Sequence, residues 1–127
     1  MVDWKRLSRE AGLRPGYDGT IDVALDGGRH QKVSVEVAES GATFIRVWST
    51  VAGRTASEKI EDLARGAWFR NKSVDMVGFR TDEDGRLLGE SRVPIAGLTS
   101  GEWAVYVRAV ARACDRLEFL LTGRDFY

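Results

Sequence analysis

Histidine and cysteine, the two residue types that most often bind zinc, are scarce in this sequence. His30 is the only histidine and Cys114 the only cysteine. A zinc site draws several ligands from these two residue types, so one of each is too few. His30 follows the turn Asp26-Gly27-Gly28-Arg29, where side chains are usually solvated, and no nucleophile elbow accompanies it. The residues of a Ser-His-Asp triad come together in space, so their order in the sequence does not exclude such a triad here. We nevertheless predict no catalytic residue and no metal site.

The acidic run Asp82-Glu83-Asp84-Gly85 invites comparison with a calcium-binding loop. In an EF-hand loop the glycine is position six, which places position one on Arg80 and position twelve on Ser91. A cation at the first ligand position opposes metal binding, and serine cannot replace the bidentate glutamate. The run is instead typical of a hairpin turn. Gly27-Gly28 opens no phosphate-binding loop, so the sequence predicts no cofactor.

Length and composition indicate an ordinary globular domain. The 127 residues are enough for one domain with a real core, and we expect a single domain over residues 1–127. Nineteen basic and 19 acidic residues give a formal net charge of zero, which argues against a nucleic-acid or acidic-membrane partner. No stretch approaches the ~18 apolar residues of a membrane-spanning helix, and no signal-like apolar run begins the chain. We expect a cytoplasmic location.

The last third of the chain carries the clearest helix signal. Thr99 and Glu102 have the N-cap and N3 spacing of a capping box, and Gly123 is typical of the residue that ends a helix. Between them, apolar residues recur in steps of three and four, which places them on one helix face. They are Trp103, Val107, Val110, Cys114, Leu117 and Leu121. Cys114 is therefore predicted to be a buried small hydrophobe, and the helix needs a sheet to cover.

Upstream, the hydrophobic period of two predicts strands. The predicted strands are Ile21 to Leu25, Val33 to Val37, Thr43 to Val51, Met76 to Thr81 and Arg86 to Val93. A short helix, Trp4 to Ala11, precedes them, and a helix over about Ser57 to Phe69 separates the third strand from the fourth. The order α-β-β-β-α-β-β-α predicts an α+β, two-layer domain with a five-stranded antiparallel sheet and helices mainly on one face.

The third predicted strand has large side chains on both faces. Ile45, Val47 and Val51 share one face, and Phe44, Arg46, Trp48 and Thr50 share the other. Either the second face is covered by a terminus or the first helix, or it is a protein-contact surface. For the second alternative the predicted partner-binding residues are Phe44, Trp48 and Met76, with Arg46 as a polar rim.

The order of elements resembles the fold shared by type III secretion chaperones and YbjN-like domains. The local likeness covers about Ala64 to Asp125. The residues that carry it are Asn71 after the second helix, Val77-Gly78-Phe79 in a strand, Asp84-Gly85 at a hairpin, Val93-Pro94 before a loop, Leu98-Thr99 at the start of the last helix, Asp115 within it and Leu121-Thr122-Gly123 near its end. None of these residues forms a catalytic signature.

The resemblance implies a small homodimeric protein without enzymatic activity. The secretion chaperones hold a partly unfolded segment of a partner protein against their sheets and helices. They tend to be clearly acidic, whereas this chain is neutral, which favours the YbjN-like branch. The expected function is therefore non-enzymatic protein binding through an apolar patch. Two alternatives stay open: a small-ligand or catalytic domain with a pocket between helix and sheet, and a regulatory dimer without a client.

Overall fold

The computed structural model describes residues 2–37, 41–52 and 76–122. The described elements are helix α1 (Trp4–Glu10), strands β1 (Arg14–Pro15) and β2 (Thr20–Ala24), a 3-10 turn (Asp26–Gly28), strands β3 (His30–Val37), β4 (Phe44–Ala52), β5 (Gly78–Thr81) and β6 (Leu87–Pro94), and helix α2 (Ser100–Thr122). The helix predicted at about Ser57 to Phe69 and the stop at Gly123 lie outside the described residues.

The strands form one antiparallel sheet in the order β1-β2-β3-β4-β6-β5. The predicted α+β class with an antiparallel sheet is confirmed, but the predicted number of five strands is wrong because the described residues alone form six strands. The additional strand is β1, in which Arg14 pairs with Asp22 and Pro15 with Ile21. Its proline predicts only the end of the first helix, yet proline is also tolerated at a sheet edge, where no ladder N–H is required.

The core lies between one sheet face and α2, which packs on β3, β4 and β6. On the sheet side, β4 supplies Ile45, Val47 and Val51, all fully buried as their alternation predicts. The stripe on α2 is also buried as predicted. Its members with 0–2% exposure are Trp103, Val107, Val110, Cys114 and Leu117. This interface is filled by side chains, as expected of a close-packed interior.

The start of α2 is capped largely as its sequence predicts. The Thr99 hydroxyl accepts a hydrogen bond from the Glu102 N–H at 3.2 Å. The Glu102 carboxylate accepts from the same hydroxyl at 3.0 Å, so it meets the side chain of Thr99. One orphan N–H of the first turn is therefore satisfied within the chain.

Helix α1 is too short to be stable alone, and it docks on the beginning of α2. The Trp103 indole N–H donates to Ser8 Oγ at 2.8 Å, and Ser8 donates in turn to the Trp4 carbonyl at 2.7 Å. The Trp4 and Trp103 rings lie 6.4 Å apart. Arg108 donates to the Ala11 carbonyl at the end of α1. These contacts join the first and last helices over more than 90 residues of sequence.

Candidate partner-binding surface

The sheet face opposite α2 carries three of the four predicted partner-binding residues. Ile45 and Val47 point into the core, so Phe44, Arg46 and Trp48 project from the other side of β4. Phe44 and Trp48 are half-buried and do not belong to the hydrophobic core. We call the surface formed by Phe44, Arg46, Trp48, Arg80, Glu90 and Arg92 the open face.

Met76, the fourth predicted residue, lies elsewhere. It precedes β5, is half-buried and packs against the hydrophobic core. The structure therefore brings Phe44, Arg46 and Trp48 together on one strand and leaves Met76 with the core. Its participation in partner binding stays a prediction.

A row of alternating charges crosses the open face from β3 to β5. Arg46 lies between Glu36, whose Oε2 is 3.2 Å from Nη1, and Glu90, which accepts from Nε. Glu90 also accepts from Arg80 Nε at 2.7 Å. The Arg46 and Glu90 side chains are only 19% and 21% exposed, so this pair is better shielded from solvent than an ordinary surface ion pair. Arg46 thus occupies the centre of the face, although the sequence predicts a rim position.

Guanidinium groups cover both aromatic rings of the open face. Arg46 Cζ lies 5.4 Å from the centroid of the Trp48 ring, and Arg92 Cζ lies 5.1 Å from that of Phe44. Both distances are within the range of a cation–π interaction. In the free protein part of each ring is therefore covered by an arginine side chain.

The charged row determines the ionisation of Glu90. Burial by itself raises the pKa of this carboxyl, but the hydrogen bonds from Arg80 and Arg46 outweigh burial and hold the pKa below its ordinary value of 4.5. A depressed folded-state pKa stabilises the fold above the unfolded-state pKa, and this stabilisation is lost as the pH falls through the folded-state value.

We expect Glu90→Gln to destabilise the protein by roughly 1 kcal/mol at neutral pH, because it removes two charge-assisted hydrogen bonds on a partly exposed face. The difference from the unmodified chain should shrink as the pH falls below 4.5. Urea unfolding at a series of pH values measures it. Glu36→Gln, which alters a side chain that is 65% exposed, is the matched control and should cost less. A pH-independent difference for Glu90→Gln would contradict the prediction.

The residues considered for catalysis or metal binding are structural or solvated. His30 Nδ1 lies 3.2 Å from Asp22 Oδ2, and both side chains are at least half exposed. Cys114 is fully buried, and burial raises the pKa of its thiol. Asp82 accepts from the N–H groups of Asp84 and Arg86, both at 2.9 Å, and closes the β5–β6 hairpin as predicted. Within the described ranges no three His, Cys, Asp or Glu residues are grouped to hold a metal ion.

The alternation also places polar side chains inside the core, which our sequence reasoning missed. Gln31 is fully buried and donates to Ser49 Oγ at 2.7 Å and to the Thr50 carbonyl at 3.1 Å. Ser49 donates to the Lys32 carbonyl at 2.6 Å. The signal was present, because Gln31 is in step with the buried Val33 and Ser49 with the buried Val47.

Three solved structures with the same fold come from type III secretion complexes. The chain aligns over 98% of its length, with 17% identity and a TM-score of 0.63, with the whole of a chain in the heterodimeric ExoU–SpcU complex from the type III secretion system of Pseudomonas aeruginosa. It aligns over 91% of its length with 89% of a chain in the HopA1–SchA chaperone–effector complex, with 13% identity and a TM-score of 0.57.

A third such structure is that of the Yersinia pestis type III secretion chaperone SycH in complex with a stable fragment of YscM2. The alignment covers 90% of this chain and 95% of that one, with 14% identity and a TM-score of 0.51. The chain therefore has the type III secretion chaperone-like fold, and the resemblance found in the sequence is confirmed at this level. The sequence matches no protein-family model and no curated protein.

Proposed function

We propose that this chain is a non-enzymatic, chaperone-like domain that binds an apolar segment of a partner protein. The observation that carries the proposal is the pair Phe44 and Trp48, two half-buried aromatic side chains outside the core on the open face. Its fold, shared with proteins solved in chaperone–effector complexes, supports the same function. Aromatic residues are common anchors of protein interfaces because they bury a large area at a low cost in entropy.

The guanidinium groups on the open face suggest how free and bound states differ. In the free protein Arg92, which is exposed, covers Phe44, and Arg46 covers Trp48. An apolar segment of the partner gains most by replacing Arg92, because Arg46 is held between Glu36 and Glu90. Burial of apolar area then favours the complex by about 25 cal/mol per Å² before the cost of association.

The β5 edge of the sheet is a second place at which the partner segment can bind. Strand β5 pairs with β6 on one side, and within the described residues no strand pairs with its other side. An extended segment of a partner can add there as a further strand, with its backbone groups bonded to those of β5. Between α2 and strands β4 and β6 the core side chains of both layers are buried, which supports protein binding over the alternative of a ligand pocket at this place.

We expect Trp48→Ala to weaken partner binding by about tenfold or more, because a central aromatic anchor is removed. The probe is a displayed library of random peptides from which apolar binders are selected, followed by affinity measurement on one selected peptide. Tyr17→Ala is the matched control, since Tyr17 is an aromatic residue that is fully exposed away from the open face, and it should leave the affinity unchanged. Thermal unfolding accompanies both measurements. Cooperative unfolding of the Trp48 variant at a much lower temperature would show that Trp48 stabilises the fold, and would contradict the proposal.

We also propose that the chain forms a homodimer in the cytoplasm. The neutral net charge favours the YbjN-like branch of this fold, and the proposal places the chain there. Light scattering on the purified chain measures the mass directly, and a monomer mass would overturn the dimer.

Within the described ranges no helix is long and apolar enough to cross a bilayer.

A further inference from the structure

A second surface lies on the helix side of the sheet, between the turn after β2 and the C-terminal half of α2. It is a groove of about 440 Å³. The described residues that form it are Ala24, Leu25, Asp26, Arg29, Arg112, Asp115, Arg116 and Phe119. We call it the arginine groove. It shares no residue with the open face and lies on the other side of the sheet.

The wall of the groove on the strand side is fixed by a tight turn and a long-range ion pair. Gly27 and Gly28 have φ of 75° and 76°, a left-handed conformation that glycine adopts without strain. The turn brings the Leu25 N–H to 2.7 Å from the Arg29 carbonyl. Arg29 Nε then donates at 3.0 Å to Asp115 Oδ2 on α2, whose side chain is 6% exposed. The pair holds one guanidinium at the groove wall.

The helix side of the groove carries two further guanidiniums, those of Arg112 and Arg116. Arg112 and Arg116 are exposed, and neither has a hydrogen bond or ion pair within the described part of the chain. They are one turn apart on α2, a spacing at which like charges destabilise a helix. Neither residue is in the last turn, where the helix dipole would favour a cation. Among residues 2–37, 41–52 and 76–122 no contact therefore gives this pair a structural role.

An exposed aromatic ring completes the same helix face. Phe119 is 56% exposed and lies three residues after Arg116 and one turn after Asp115. Leu25, which is partly buried, forms apolar surface on the strand side. The arginine groove therefore presents three guanidiniums against the two carboxylates of Asp26 and Asp115, a net positive charge that lies directly beside apolar area. This combination fits a ligand that has both an acidic group and an apolar group.

We infer that the arginine groove binds a short acidic segment of the partner protein in which a carboxylate adjoins a large apolar side chain. This inference rests on the proposed function and names a second contact for the same partner. Guanidinium groups suit carboxylates because they donate two parallel hydrogen bonds. The volume is within the ~300–1,000 Å³ range of pockets that enclose small ligands, so only a few residues of the partner enter it.

The test uses the labelled peptide Gly-Glu-Leu-Asp-Phe-Gly and its uncharged analogue Gly-Gln-Leu-Asn-Phe-Gly in fluorescence anisotropy. The unmodified chain should bind the acidic peptide about tenfold more tightly than the analogue, with an affinity that falls at high salt. The double variant Arg112→Gln/Arg116→Gln should lose about tenfold in affinity for the acidic peptide only. Arg9→Gln/Arg14→Gln removes two exposed arginines outside both surfaces and should leave the affinity unchanged.

The outcomes separate this inference from the proposed function. Equal binding of both peptides, or an unchanged affinity in the Arg112→Gln/Arg116→Gln variant, overturns the groove as an acidic-segment site. Tighter binding of a labelled oligothymidylate than of the acidic peptide also overturns it, because the ligand is then a nucleic acid. The proposed function fails separately, if Trp48→Ala leaves the binding of selected apolar peptides unaffected. Circular dichroism and thermal unfolding confirm that each variant remains folded.

Discussion

Trp103→Ala should lower the free energy of unfolding by about 3–5 kcal/mol, the usual cost of removing a large buried aromatic side chain. Trp103 is fully buried at the start of α2 and packs beside Trp4. The substitution leaves a cavity between the two helices and removes the N–H that donates to Ser8 Oγ. Because Trp103 joins α1 to α2, we expect α1 to lose much of its anchorage on that helix. Urea unfolding monitored by circular dichroism measures the change.

Two further variants separate the contributions. Trp103→Phe retains most of the apolar volume but removes the indole N–H, so it should cost less than the alanine variant. Val105→Ala is the matched control on the same helix, because Val105 is 55% exposed, and it should change the free energy of unfolding by no more than about 0.5 kcal/mol. If Trp103→Ala proves as mild as Val105→Ala, the docking of α1 on α2 as described is incorrect.

The spacing of hydrophobic residues predicts those parts of the fold that are determined within one helix or one strand. The stripe from Trp103 to Leu117 is buried on one face of α2, and Ile45, Val47 and Val51 are buried on one face of β4. Both patterns follow from the geometry of a single element, so one sequence suffices to identify them. Strand β1 was missed because two residues are too few for a period, and its proline indicated only that the first helix ends.

The open face could be predicted in part for the same reason. Phe44, Arg46 and Trp48 alternate with core residues on one strand, so their shared face follows from the period of two. Met76 packs with the core, and this depends on how the chain enters β5. The cover of Trp48 by Arg46 and the pairing of Arg46 with Glu90 depend on the register between β4 and β6, which the sequence does not specify.

The arginine groove could not be predicted at all. Arg29 and Asp115 are 86 residues apart, and only the packing of the β2–β3 turn on α2 makes them neighbours. Asp115 does not belong to the apolar stripe of the helix, yet it is 4% exposed. Since the hydrophobic period describes only the average polarity of a face, it does not identify a buried carboxylate with a distant partner.

Gly89→Ala should destabilise the protein by about 1–3 kcal/mol, the usual cost of overpacking a close-packed core. Gly89 lies in the middle of β6 and has no left-handed backbone, so its role is to leave space. A Cβ there would collide with Cys114 Sγ and lie 3.0 Å from Phe79 Cε1. Helix α2 can approach the sheet at Cys114 only because this strand position carries no side chain. Thermal or urea unfolding measures the change.

Removing the Cys114 sulfur tests whether its collision with the new Cβ causes the loss of stability. In the Cys114→Ala background the sulfur is absent, so Gly89→Ala should cost less than in the unmodified chain, and the double-mutant cycle gives the difference as a coupling energy. Gly78→Ala is the matched control, since a Cβ at this strand glycine meets nothing within 4 Å. Equal costs for Gly89→Ala in both backgrounds would mean that Cys114 does not limit the approach of α2, and that the propensity of the strand or the contact with Phe79 explains the loss.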